Sequence, residues 1–181
     1  MSKRLHYGAT AKLLHWLVVV LLIIQYAIGW RMPDIRPGLT PGDEMTWHVS
    51  FGLVILTVIV LRLVWRLTHS VAPESSLHAW QRLGSEAVHW LLYLVILATT
   101  LSGWFFASMR GWAISWFFVA PLPMLTAQGS SLGRFIGHYH HNLSWALLIL
   151  IAVHVAAAFV HLFWYRDRIM QRMLLGLPKR T

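Results

Sequence analysis

Four stretches of this chain are almost uninterruptedly apolar, and each is about the length needed to cross a bilayer as a helix, roughly 20 residues. They run from about Leu13 to Trp30, Thr46 to Leu67, Ala87 to Met109 and Ile136 to Phe163. Between them the chain is polar or broken by turn residues. The segment from Arg31 to Thr46 holds Pro33, Pro37, Gly38, Pro41 and Gly42, and the segment from Thr68 to Glu86 holds His69, Pro73, Glu74, Ser75, Ser76, His78 and Arg82. Such punctuation marks loops. The third connection, from Arg110 to about Phe135, is different. Its stretch from Gly111 to Pro121 is rich in aromatic residues but too short to span, and Pro121 and Pro123 end it, which predicts a segment lying on the membrane surface. The pattern as a whole predicts an all-α, integral-membrane four-helix bundle forming one domain over residues 1–181. The basic start before the first apolar run resembles a signal peptide. However, the run is too long and no small-residue cleavage site closes it, so a retained first helix is expected.

Composition supports the membrane reading. Hydrophobic residues make up 57% of the chain and charged residues 12%, with a mean hydropathy of +0.60, too oily for an ordinary soluble domain. The 11 Trp residues lie mostly near the ends of the apolar runs, as an interfacial belt requires. A net charge of +9 in such a chain reports topology rather than nucleic-acid binding. Of the 15 Lys and Arg residues, only Arg31, Arg36, Arg110 and Arg134 fall on the side of the first and third loops. The positive-inside rule therefore places both termini in the cytoplasm.

The chain has no Cys, which excludes disulfides, thiolate-held iron–sulfur clusters, Cys zinc sites and covalent haem attachment through a C-x-x-C-H motif. The 11 His residues are the natural ligands that remain. His140 and His154 lie fourteen residues apart on one apolar run. Fourteen helical steps return to within roughly 40° of the starting direction and climb roughly 21 Å, so both rings leave one face near opposite sides of the bilayer. Intramembrane imidazoles are functional by default because an unpartnered one is costly in hydrocarbon. The same step leads from His15 to Gly29, from His48 to Arg62 and from His89 to Gly103. Gly52, one turn past His48, leaves space for a flat ligand against the backbone.

With the helices alternating in direction, His15 and His154 share the cytoplasmic depth, and His48 and His140 share the outer depth. Two His residues facing each other at one depth are what bis-imidazole ligation of a flat macrocycle requires, and bundle cores are where such sites are built. Spacing alone leaves His89 open as an inner ligand and His138 or His141 as alternatives to His140.

The strings Leu14-His15-Trp16-Leu17, Trp47-His48-Val49-Ser50-Phe51-Gly52, Arg62-Leu63-Val64-Trp65-Arg66, His89-Trp90-Leu91-Leu92-Tyr93, and His140 to His154 followed by Ala156-Ala157-Ala158 and Phe163-Trp164 resemble the bacterial cytochrome b561 family in order along nearly the whole chain. The resemblance implies a bacterial inner-membrane protein with two non-covalent b haems and a link to the quinone pool. It implies His15 and His154 for the inner haem and His48 and His140 for the outer. It also implies electron transfer from superoxide on the periplasmic side to ubiquinone, as described for one branch of the family. In that reading Arg62 pairs with a haem propionate, His161 serves the quinone, and Arg110 and Arg134 attract the anionic donor. The alternative is a haem-bearing electron-conduit subunit of a larger dehydrogenase or hydrogenase, which leaves a partner subunit or a homo-oligomer open. A His-lined metal transporter is disfavoured because none of the 6 acidic residues lies mid-membrane.

Overall fold

The computed structural model describes residues 7–36, 38–69, 78–167 and 169–173. Lys3, Arg4, Arg168, Lys179 and Arg180, which contribute to the charge-based topology, lie outside the described residues. The described elements are α1 (Ala9–Gly29), α2 (Asp43–Thr68), α3 (Ala79–Met109), a two-stranded hairpin of β1 (Ser115–Trp116) and β2 (Ala120–Pro121), α4 (Ser131–His138) and α5 (His140–Val160). A π-helical turn, His161–Tyr165, continues α5, and a short 3-10 turn, Met170–Arg172, follows. Among the described residues, four helical stretches are long and apolar enough to cross a membrane, α4, α5 and the π turn counting together as the fourth.

Helix ends differ from the hydropathy boundaries because hydropathy marks the part of a helix that suits lipid, not where the helix stops. α3 begins at Ala79 rather than near Ala87, and Gln81 Oε1 accepts the backbone N–H of His78 at 2.9 Å to close its first turn. α2 begins at Asp43, where Asp43 and Glu44 complement the positive end of the helix dipole. The fourth run is not one helix from Ile136. It starts at Ser131 and tightens at Tyr139, whose N–H bonds to Ile136 O at 3.2 Å. α4 lies close on α3 because its facing residues lack side chains. A Cβ on Gly137 would fall 2.9 Å from Phe106 Cα, and one on Gly133 would fall 2.7 Å from Met109 Cβ.

α1 packs along α2, α3 packs along α5, and α2 meets α3. The core is a mid-bundle cluster of Val18, Leu21, Ile55, Val58, Ile59, Tyr93, Ile96 and Leu147. Tyr26 bridges the α1 and α5 sides by donating its hydroxyl to Ser144 O at 2.6 Å. Trp16 Nε1 donates to Met173 O at 2.9 Å, so the two ends of the described chain meet at one end of the bundle, here called the tail end. The opposite end is the cap end.

The aromatic segment after α3 folds back as a cap on the bundle, because its polar groups find partners within the protein. Trp104 Nε1 donates to Pro123 O at 3.0 Å, Trp112 Nε1 to Leu39 O at 3.1 Å, and the Leu125 N–H to Ser108 Oγ at 3.0 Å. Ile114 is buried beneath it. The hairpin turn has positive φ at both central residues, Phe117 (45°) and Phe118 (61°), and is closed by Val119 N to Trp116 O at 2.9 Å. This is the type I′ pattern, for which Asn-Gly is the natural choice. Left-handed conformation at two Phe residues costs about 1–3 kcal/mol each, which the surrounding contacts must offset.

Candidate functional site

The helices bring histidines together at two depths. At the cap end, the His48 and His140 rings face each other with centroids 6.1 Å apart and planes at 89°. At the tail end, His15 and His154 stand 6.3 Å apart at 73°, and His89 lies 5.3 Å from His154. All four sequence-selected rings therefore meet in the expected pairs, and His89 joins the second.

Local contacts orient the cap-end rings. His140 Nδ1 lies 2.9 Å from Thr99 O, which can only accept, so this nitrogen carries the hydrogen and Nε2 is left free toward the bundle. Ser102 Oγ stands 3.4 Å from the same nitrogen. The flanking histidines do not compete for this place. His138 is exposed, and His141, also exposed, accepts a hydrogen bond from Trp145 Nε1 at 3.2 Å. His48 is approached by Gln25, whose Nε2 donates to His48 O at 3.0 Å and lies 3.2 Å from the ring Nε2. Gln25 was not visible as a site residue in the sequence, although it is a lone amide within an apolar run. Gly52, expected to admit a flat ligand, faces this same side chain, with its Cβ position 3.5 Å from Gln25 Nε2.

Three features fit a metal-bearing macrocycle between the rings. A first-row metal bonds imidazole nitrogen at about 2.0–2.1 Å, and about 1.1 Å more reaches the ring centre, so two rings on opposite sides of one metal have centroids about 6.3 Å apart. The His48–His140 and His15–His154 distances match that span, whereas 5.3 Å between His89 and His154 is too short for it. Second, His15 Nδ1 and His48 Nδ1 are buried with no hydrogen-bond partner. Third, glycine rather than a side chain stands where α1 and α3 pass the cap-end pair. A Cβ on Gly29 would lie 3.5 Å from His48 Cε1, and one on Gly103 would lie 2.7 Å from His140 Cε1.

The remaining sequence-selected residues are dispersed. Arg62 stacks its guanidinium 5.6 Å from the Tyr93 ring centre, and Arg66 lies 4.8 Å from that of Trp90 and 5.5 Å from that of Tyr93. Both belong to the tail half of α2. Arg110 Nη2 donates to Arg36 O at 2.6 Å and its guanidinium sits 5.2 Å over Trp112, so it ties the first loop to the cap. Arg134 is exposed on α4 beside a shallow groove with Ser131, Phe135, His138 and Tyr139. At the tail end, the π turn aims His161 Nδ1 at Asp167 Oδ2, 2.5 Å away, and Asp167 Oδ1 accepts the Ile169 N–H at 3.1 Å. Asp167 escaped the sequence reading. The signal was there, as a lone acid between Arg166 and Arg168.

The family model for prokaryotic cytochrome b561 matches residues 6–176. The chain belongs to the prokaryotic cytochrome b561 family. It is 28% identical over 172 residues to cytochrome b561 homolog 2 of Escherichia coli, covering 93% of this chain and 90% of that protein. It is 28% identical over 173 residues to a protein of Yersinia pestis named probable superoxide oxidase CybB, covering 92% and 93% respectively. Identity to cytochrome b561 homolog 1 of Escherichia coli is 26% over 185 residues, with 96% and 98% covered. As a member of the cytochrome b561 family, the protein is a multi-pass inner-membrane protein of bacteria that carries b-type haem and transfers electrons.

Proposed function

We propose that this cytochrome b561 is a dihaem electron carrier with both termini in the cytoplasm, oxidising superoxide at the periplasmic cap end and reducing ubiquinone at the tail end. The observation that carries the reading is the pair of facing-histidine spacings, 6.1 Å for His48–His140 and 6.3 Å for His15–His154, whose residues would hold the two haems. Each haem b supplies a one-electron iron couple when bound, and burial with bis-His ligation tunes its potential.

This chain's own residues do the rest. His140 is pinned by the Thr99 carbonyl, so its second nitrogen is presented in one tautomer and one direction. His15 is the tail-end counterpart of His154, and His89 flanks that pair as a neighbour. Arg62 lies within electrostatic reach of His15, His89 and His154 and offers a fork-shaped donor to a propionate. His161 stands seven residues beyond His154, about 10.5 Å along a regular helix, and Asp167 fixes its ring. In this reading the imidazole edge that does not face Asp167 donates to a quinone carbonyl and passes on a cytoplasmic proton. Arg134, exposed on α4, and Arg110, which ties the first loop to the cap, draw an anionic donor to the cap end by their field. The 28% identity to the named probable superoxide oxidase supports that choice of donor.

The experiment is the visible spectrum of the purified protein, oxidised and dithionite-reduced, with pyridine-haemochrome quantitation. Two low-spin b haems per chain are expected, followed by superoxide-driven reduction of a short-chain ubiquinone. One haem per chain, or none with ample haem supply, sinks the dihaem scheme.

A further inference from the structure

The strained turn of the cap calls for a reason. Phe117 and Phe118 are adjacent non-glycine residues with positive φ, in a turn that Asn-Gly would make without strain. The turn therefore does not need these side chains, and what the rings touch must explain them. Phe117 packs on Trp47 and Phe51 with ring centres 5.5 and 5.4 Å away, and Phe118 packs on Trp47 at 5.5 Å. Ser50, fully buried, accepts the Phe117 N–H at 2.8 Å and donates to Thr46 O at 2.7 Å, which fastens the turn to α2. Trp47, Ser50 and Phe51 bracket His48 within about 4.5 Å along the helix axis. The hairpin thus stands at the depth of the cap-end histidines. Gly29 and Gln25 close the α1 side of His48, and Thr99 and Ser102 close the α3 side of His140. The outward side of the hairpin is open to the surroundings, with Val119 84% and Phe118 49% exposed.

We propose that the Phe117–Phe118 turn is an aromatic screen that restricts electron entry at the cap-end pair to small diffusible one-electron donors and keeps redox proteins too distant for fast transfer. It is a specificity-determining element and rests on the haem reading above. In the forward reaction a superoxide anion loses one electron and leaves as dioxygen, and the electron passes to the cap-end haem.

The test compares the unmodified protein with F117N/F118G, which relaxes the turn and removes the rings, and with F117L/F118L, which keeps bulk and strain. Dithionite-reduced protein, freed of excess reductant, is mixed with a ferric soluble c-type cytochrome, which takes one electron per molecule. Oxidation at least tenfold faster in F117N/F118G is expected, with F117L/F118L close to the unmodified protein and reduction by superoxide within twofold in all three. Equal rates with two haems retained overturn the screen. Loss of the cap-end haem in F117N/F118G also overturns it, since the rings would then be structural. Hydrogen exchange over residues 43–52 should be equal in all three proteins, and faster exchange in F117N/F118G makes the rings structural supports of α2 and overturns the screen. Absence of haem from the unmodified protein overturns the dihaem reading and the screen with it, whereas equal rates with two haems overturn the screen alone.

Discussion

The ring of His140 rests directly against Gly103: a Cβ at that glycine would fall 2.7 Å from His140 Cε1 and 2.9 Å from Nδ1. The fourteen-residue step from His89 to Gly103 thus has a meaning that spacing alone does not reveal. α3 carries a histidine at the tail end, and at the cap end it carries the vacancy in which another helix's histidine stands. α1 repeats the arrangement with His15 and Gly29, the latter beside His48. Gly103→Val should therefore push His140 off the Thr99 carbonyl. Overpacking of this kind costs about 1–3 kcal/mol. The expected result is loss of about one haem per chain with the tail-end spectrum retained. Gly84→Ala, in open space on the same helix, is the control and should leave both haems in place.

The tail-end trio separates by substitution. His154→Ala removes the residue shared by both close ring pairs and should halve the haem content. His15→Ala should do the same. His89→Ala should retain two haems, with at most a shift of the tail-end band. If His89→Ala loses a haem and His15→Ala keeps both, the ligand assignment is reversed. At the cap end, His140→Ala should cost a haem and His141→Ala should not, because only His140 turns inward.

Asp167→Asn tests the orienting role of the acid. Removing the outer partner of a metal-ligating histidine typically costs 10–100-fold, and a loss of that order is expected for a histidine oriented to carry a proton. Steady-state ubiquinone reduction should fall by about that factor while haem content and cap-end reduction by superoxide stay unchanged. His161→Ala should fall at least as far. A full rate in both variants would move the quinone elsewhere.

Arg62→Leu withdraws a cation from the tail-end site. The oxidised iron carries the greater positive charge, so losing a nearby cation favours it and lowers the potential. A shift of about 60 mV corresponds to tenfold in a one-electron equilibrium, and a fall of at least that order is expected in a redox titration. Arg62→Lys keeps the charge without the fork and should fall between. An unchanged tail-end potential would reduce Arg62 to its packing on Tyr93.

The order of residues along the chain is enough for the membrane class, the four spans and the matching depths of His15 with His154 and His48 with His140. Apolar length and helical period are local properties, readable one residue after another. It could not separate His140 from His138 and His141, because which ring enters the bundle depends on how α4, resting on α3 through Gly133 and Gly137, delivers the first turn of α5. Nor did it reveal Gln25 at His48 or Asp167 at His161, whose meaning lies in a neighbour brought close by another helix or by a π turn. Composition marked the aromatic run as interfacial without showing the hydrogen bonds to Ser50, Ser108 and Leu39 that fasten the cap to the bundle. Periodicity sets which direction a side chain leaves its helix, and packing between helices decides what it meets there.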